Sequence, residues 1–132
     1  MIKNFRVGQS NELLVDEELF DLHNLYDFDE VIVKASINEV KLSFVPNEEF
    51  NKNGNPIILL FENIRYMEFS EGFFNSNIDS VDELGYKSPQ DRDDNWLCDE
   101  SHWESNYHLF IRFFGDEFLR VNSERASLIE LN

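Results

Sequence analysis

The stretch that most constrains this chain is residues 109–121, LFIRFFGDEFLRV. Its first arm alternates Leu109, Ile111 and Phe113 with Phe110, Arg112 and Phe114. Gly115-Asp116-Glu117 breaks the run, and Phe118-Leu119-Arg120-Val121 forms a second arm. A side-chain period of two is the mark of a strand with two distinct faces, so the segment reads as a β-hairpin. A two-residue turn at Gly115-Asp116 would oppose Phe113 to Phe118 and Ile111 to Arg120, mixing charge and apolar surface on both faces. A three-residue loop over 115–117 opposes Phe113 to Leu119 and Ile111 to Val121. It gathers Leu109, Ile111, Phe113, Leu119 and Val121 on one face and Phe110, Arg112, Phe114, Phe118, Arg120 and Asn122 on the other. A one-residue slip exchanges the faces, so the separated pattern selects the three-residue loop. That register sets Arg112 opposite Arg120, an unfavourable like-charge pair. A carboxylate from elsewhere in the chain is the expected remedy. The alternative is a ligand, an anion or small molecule, held on the face of Phe110, Arg112, Phe114 and Arg120.

The rest of the chain agrees with a mainly β fold, with α+β as the alternative. Residues 1–7 suit a short strand with Lys3, Phe5 and Val7 on one side. Residues 12–26 carry Leu13 or Leu14, Leu19, Leu22 and Leu25 or Tyr26 at helical spacing, with Asp16-Glu17-Glu18 suited to a first turn; a loop followed by a short strand is the competing reading. VIVKASI and VKLSFV flank Asn38-Glu39, and a two-residue turn there pairs Ile37 with Val40, Ala35 with Leu42 and Val33 with Phe44. Residues 46–56 are a loop by their Asn, Gly and Pro content. The apolar run Ile57-Ile58-Leu59-Leu60 predicts a central strand covered on both faces, with a bulge near Glu62-Asn63. Phe73, Phe74, Ile78 and Val81 return along the sheet edge. Residues 124–132 add a last strand or a short helix. The expected architecture is one domain, 1–132. It is an antiparallel, strongly curved sheet or a β-sandwich built from hairpins, with at most one or two short helices.

Charge narrows the function. Among 132 residues, 27 are acidic and 11 basic, a net charge of −16. Such a chain repels nucleic-acid phosphates and anionic membrane and attracts basic proteins. No stretch has the length of a transmembrane helix, the N-terminus lacks an apolar signal core, and a single Cys98 allows no internal disulfide. These point to a cytoplasmic protein.

Residues 82–106, DELGYKSPQDRDDNWLCDESHWESN, read as a long acidic loop containing Trp96 and Trp103. Asp91-Arg92-Asp93-Asp94-Asn95 resembles the start of a calcium loop but lacks its glycine and its final glutamate. Cys98, His102 and His108 lack a fourth ligand for structural zinc. His23 reads as a side chain bonded to backbone. No nucleophile elbow and no phosphate-cradling glycine loop is present, and acidic neighbours blunt Cys98. The chain therefore reads as a non-enzyme without metal or cofactor. Aromatic anchors ringed by charge suit a protein interface. The residues expected to meet a basic partner are Asp91, Asp93, Asp94, Trp96, Asp99, Glu100, Trp103 and Glu104, with Asp27, Asp29 and Glu30 as a possible extension.

Two stretches carry a resemblance. Leu59-x-Phe61-x-Asn63-Ile64 leading to Tyr66 and Phe69, and the strand pair ending Phe118-Leu119-Arg120-Val121, are similar to small β-rich immunity proteins of bacterial polymorphic-toxin and contact-dependent inhibition systems. Richness in Asn, Phe, Ile and acidic residues agrees. The resemblance spans residues 20–125, transfers no catalytic or binding signature, and leaves 82–106 unmatched. It implies a cytosolic antitoxin that binds the effector domain of a toxin, often a basic nuclease, and blocks it without chemistry of its own.

Overall fold

The computed structural model describes residues 1–92 and 96–132. The strands are β1 (Ile2–Lys3), β2 (Arg6–Val7), β3 (Glu12–Val15), β4 (Glu18–Asp21), β5 (Tyr26–Lys34), β6 (Glu39–Pro46), β7 (Ile57–Phe69), β8 (Val81–Lys87), β9 (His108–Phe113) and β10 (Phe118–Glu130). The protein is mainly β, and its only helical pieces among the described residues are three short 3-10 turns. The main sheet runs β5-β6-β7-β10-β9-β8 and curls strongly into a half-barrel. Strand β10 is long enough to serve two partners along one edge. Residues 118–121 pair with β9, and further on β1 docks in parallel at Arg125 and Ala126. A second, three-stranded sheet, β2-β3-β4, joins the same core.

The core follows from strand alternation. Inward rows run Val40–Phe61–Ala126 and Leu42–Leu59–Leu128 across β6, β7 and β10. Leu109–Val121 and Ile111–Leu119 continue them on β9 and β10, all of these side chains buried. The small sheet adds Val7, Leu13 and Phe20. Full burial of such a side chain is worth about 1.5–3 kcal/mol, so these rows rather than any helix hold the fold.

The organising hairpin has a three-residue loop, but it is 114–116 rather than 115–117. Phe113 N–H donates to Glu117 O at 2.8 Å, and Asp116 N–H closes the turn onto Phe113 O at 3.1 Å. Gly115 (φ 96°) and Asp116 (φ 69°) take the left-handed backbone, which glycine and aspartate tolerate. The pairs are Leu109 with Val121, Phe110 with Arg120, Ile111 with Leu119 and Arg112 with Phe118. A slide of two residues keeps the faces and changes the partners. The aliphatic face survives, whereas Arg112 and Arg120 each face a Phe instead of one another. Phe114 drops out of the Phe/Arg face into the turn, where it is exposed beside His23. His23 itself bonds Val81 O at 2.7 Å.

Other expectations change for tertiary reasons. Residues 12–21 form a hairpin, not a helix: Val15 pairs with Glu18 around Asp16, whose φ is 54°. Leu13 and Phe20, opposite one another in that hairpin, are both buried. The β5–β6 hairpin forms, but with a four-residue connection. Val33 pairs with Val40, residues Ala35–Ile37 make a 3-10 turn, and Asn38 (φ 52°) ends it. In β7, Ile57, Leu59 and Phe61 are fully buried while Ile58 and Leu60 are half-buried, so the strand is central but covered fully on one face only. A register shift opposite Asn122/Ser123 and a positive φ at Asn63 place its bulge close to the expected point. Residues 1–7 divide into β1 and β2 on two sheets. The segment 82–106 begins as strand β8 and becomes loop only after Lys87, and residues 118–130 are one continuous strand.

Candidate protein-binding surface

Strand β9 is buried along its whole length, on both faces. The outer face of β8, β9 and β10 therefore holds polar side chains that need partners inside the chain. Phe110 lies at its centre, stacked on Phe118 at 5.0 Å. Lys87 Nζ and the Arg112 guanidinium each lie 5.2 Å from the Phe110 ring, and the Arg120 guanidinium 6.0 Å, a cation–π cluster. Arg120, only 1% exposed, donates from Nη1 to Asp91 O, from Nη2 to Ser88 O and from Nε to His108 Nδ1, at 2.9–3.0 Å. Arginine can only donate, so His108 accepts at Nδ1 and carries its proton on Nε2. Burial first, then the Arg120 and Arg92 charges, lowers the His108 pKa to about 4. Arg112 donates to Glu83 at 3.0 Å. A carboxylate of the acidic segment thus pairs Arg112 through Nη1, leaving its Nη2 buried without a hydrogen-bond partner among the described residues, while backbone carbonyls and an imidazole satisfy Arg120. The expected ligand face is filled by the chain's own contacts at Phe110, Arg112 and Arg120.

The segment after β8 folds back as a cover. Tyr86 and Cys98 exchange backbone hydrogen bonds at 2.8 and 3.0 Å, an isolated bridge on the outer edge of β8. Gly85 allows this approach, since a Cβ there would meet Leu97 Cβ at 2.8 Å and Cys98 O at 2.9 Å. Burial, then Asp99, pushes the Cys98 thiol pKa up. Asp99 caps the following 3-10 turn by accepting from Ser101 N–H. Glu100 reaches inward. It accepts from Lys3 Nζ at 2.6 Å, Tyr86 OH at 2.8 Å and Val7 N–H at 2.9 Å. Lys3 also lies 4.1 Å from the Trp103 ring. Glu100 and Trp103 consequently anchor the N-terminal strands.

The residues predicted to meet a partner are therefore divided. Trp96, 48% exposed, and Glu104 stand outward. Asp91 is tied to the sheet through its carbonyl, and its carboxylate lies 3.9 Å from Lys87. Asp93 and Asp94 lie outside the described residues. Asp27, Asp29 and Glu30 belong to β5, at the opposite end of the strand order from β8. Cys98, His102 and His108 do not converge, and no group of metal-binding side chains gathers among the described residues.

Lys3 and Lys87 join the site without a local motif to mark them. For Lys87 the signal was parity: on β8 it shares a face with Gly85, whose β9 partner is Phe110. Four of the eleven Lys and Arg side chains, Lys3, Lys87, Arg112 and Arg120, are buried. No described Asp or Glu is. The fold hides these cations while the described carboxylates keep at least partial contact with water, so its surface is more acidic than the formal charge of −16 suggests.

No family model, no curated protein and no solved structure matches the chain. No helix among the described residues is long and apolar enough to cross a membrane.

Proposed function

We propose that the protein is an immunity-type antitoxin of the bacterial cytoplasm. It neutralises a basic toxin domain, of nuclease type, by direct binding and without chemistry of its own. The observation that carries this reading is the sorting of charge, with four cation side chains buried and no described Asp or Glu fully buried, Glu100 reaching inward to Lys3. An acidic surface speeds encounter with a basic partner and fixes its orientation, and an exposed tryptophan beside it supplies a desolvated anchor. Trp96 is that anchor, flanked by the acidic stretch 91–104.

The test is co-expression with the toxin-like reading frame expected beside this gene, followed by titration of the purified pair. Binding is one-to-one, protects growth and weakens steeply with salt. Trp96→Ala combined with Glu104→Lys weakens it by about tenfold or more while leaving the fold intact. Equal protection by the double variant removes the surface assignment. Salt-insensitive binding removes the electrostatic argument.

A further inference from the structure

Strand β5 ends the main sheet on the side away from β8. Phe28 N–H donates outward to Asp79 O at 2.7 Å, which covers the start of this edge. From Glu30 to Lys34 no backbone partner lies on the outer side among the described residues. Yet Ile32 and Val33 are exposed there, Val33 to 61%. An unpaired apolar edge is a template for another strand.

The residues on that edge are Glu30-Val31-Ile32-Val33-Lys34. We infer that β5 pairs antiparallel with β5 of a second copy of this chain, about a two-fold axis at Ile32. In an antiparallel ladder, opposed residues point their backbone groups the same way relative to the shared edge. A strand paired with its own copy must therefore set one residue opposite itself. Centring on Ile32 opposes Glu30 to Lys34 twice and Val31 to Val33 twice, with Ile32 against Ile32. Glu30, Ile32 and Lys34 share one face of the strand, and Val31 and Val33 the other. The outer face then carries two opposite-charge pairs around an aliphatic centre, and the inner face carries only valine.

The neighbouring two-fold registers are worse. Centring on Val31 opposes Glu30 to Ile32 and Asp29 to Val33. Centring on Val33 opposes Ile32 to Lys34. The 3-10 turn at Ala35–Ile37 and the covered Phe28 limit the ladder to these five residues. The contact is small, and two chains of net −16 repel one another, so association is weak and aided by salt. It uses none of residues 91–104 and does not depend on the proposed toxin binding.

Sedimentation equilibrium of the full chain at about 0.3 M NaCl, where mutual repulsion is screened, tests this. The wild type forms a concentration-dependent dimer. Glu30→Lys and Lys34→Glu each turn two attractive pairs into two repulsive ones and weaken it by about tenfold or more. Both sites are exposed, so thermal melts of the dilute variants stay at the wild-type value. Mixing the two variants restores the dimer, because each supplies the charge that the other lacks. A wild type that stays monomeric, a dimer indifferent to either reversal, or a mixture that fails to pair overturns the inference.

Discussion

The two ends of the main sheet are built differently. At β8 the chain covers its own edge: Cys98 bridges Tyr86, Leu97 packs over Gly85, and Arg120 grips the carbonyls of Ser88 and Asp91. At β5 the edge is bare beyond Phe28. The reason lies in what each end contains. Near β8 both faces of β9 are buried, and the outer layer holds Lys87, His108, Arg112 and Arg120. A buried cation without partners is costly, so this end is stable only with its cover in place. At β5 the outer face carries Glu30 and Lys34 in contact with water on either side of exposed Ile32, and no buried charge there demands cover from within the chain. Edge protection in this fold therefore follows the burial of charge.

The largest expected break in this contrast is Arg120→Ala. It strips three hydrogen-bond partners, Ser88 O, Asp91 O and His108 Nδ1, of their donor in a buried layer. Chemical denaturation should show a loss of about 3–5 kcal/mol. A loss under about 1 kcal/mol would mean that the cover is not anchored there.

Next comes a paired test of the edges. Gly85→Val inserts a side chain where Leu97 and Cys98 already lie, which should cost about 1–3 kcal/mol and free Cys98 to react with a thiol reagent. Val33→Thr on the open edge should change monomer stability by no more than about 0.5 kcal/mol. Equal effects at both positions would erase the distinction.

A further effect is pH-dependent. His108 titrates near its ordinary value of about 6.5 when unfolded and at about 4 when folded. Below pH 6.5 the unfolded chain binds the proton first. The contribution of neutral His108 is thus whole above 6.5 and is lost as pH falls toward 4. His108→Gln should flatten the stability profile in that window by on the order of 1–2 kcal/mol, measured against wild type. Parallel profiles would place the titration elsewhere.

Much of this architecture was legible in residue order. The alternation of Leu109, Ile111 and Phe113 against Leu119 and Val121 assigns the core face, and the two-residue slide in register left that face unchanged. Residues 12–21 misled because Leu13, Leu19 and Leu22 match a helical spacing as well as they match two short strands. Burial of Leu13 against Phe20 settled it. In the acidic segment, Trp96 and Glu104 stand outward, but Glu100 and Trp103 turn inward to Lys3. Their partner lies about a hundred residues earlier in the chain, and no local pattern records it.

The sequence alone determined the strand-rich fold, the aliphatic face of the organising hairpin and the excess of carboxylate. Each rests on local alternation or on composition. Tertiary structure alone decided which charges face water. Pairing across β8, β9 and β10 drew Lys87, Arg112 and Arg120 around Phe110, and the β1 docking site brought Lys3 to Glu100. Desolvating a cation requires partners from several strands at once, and only the folded sheet assembles them.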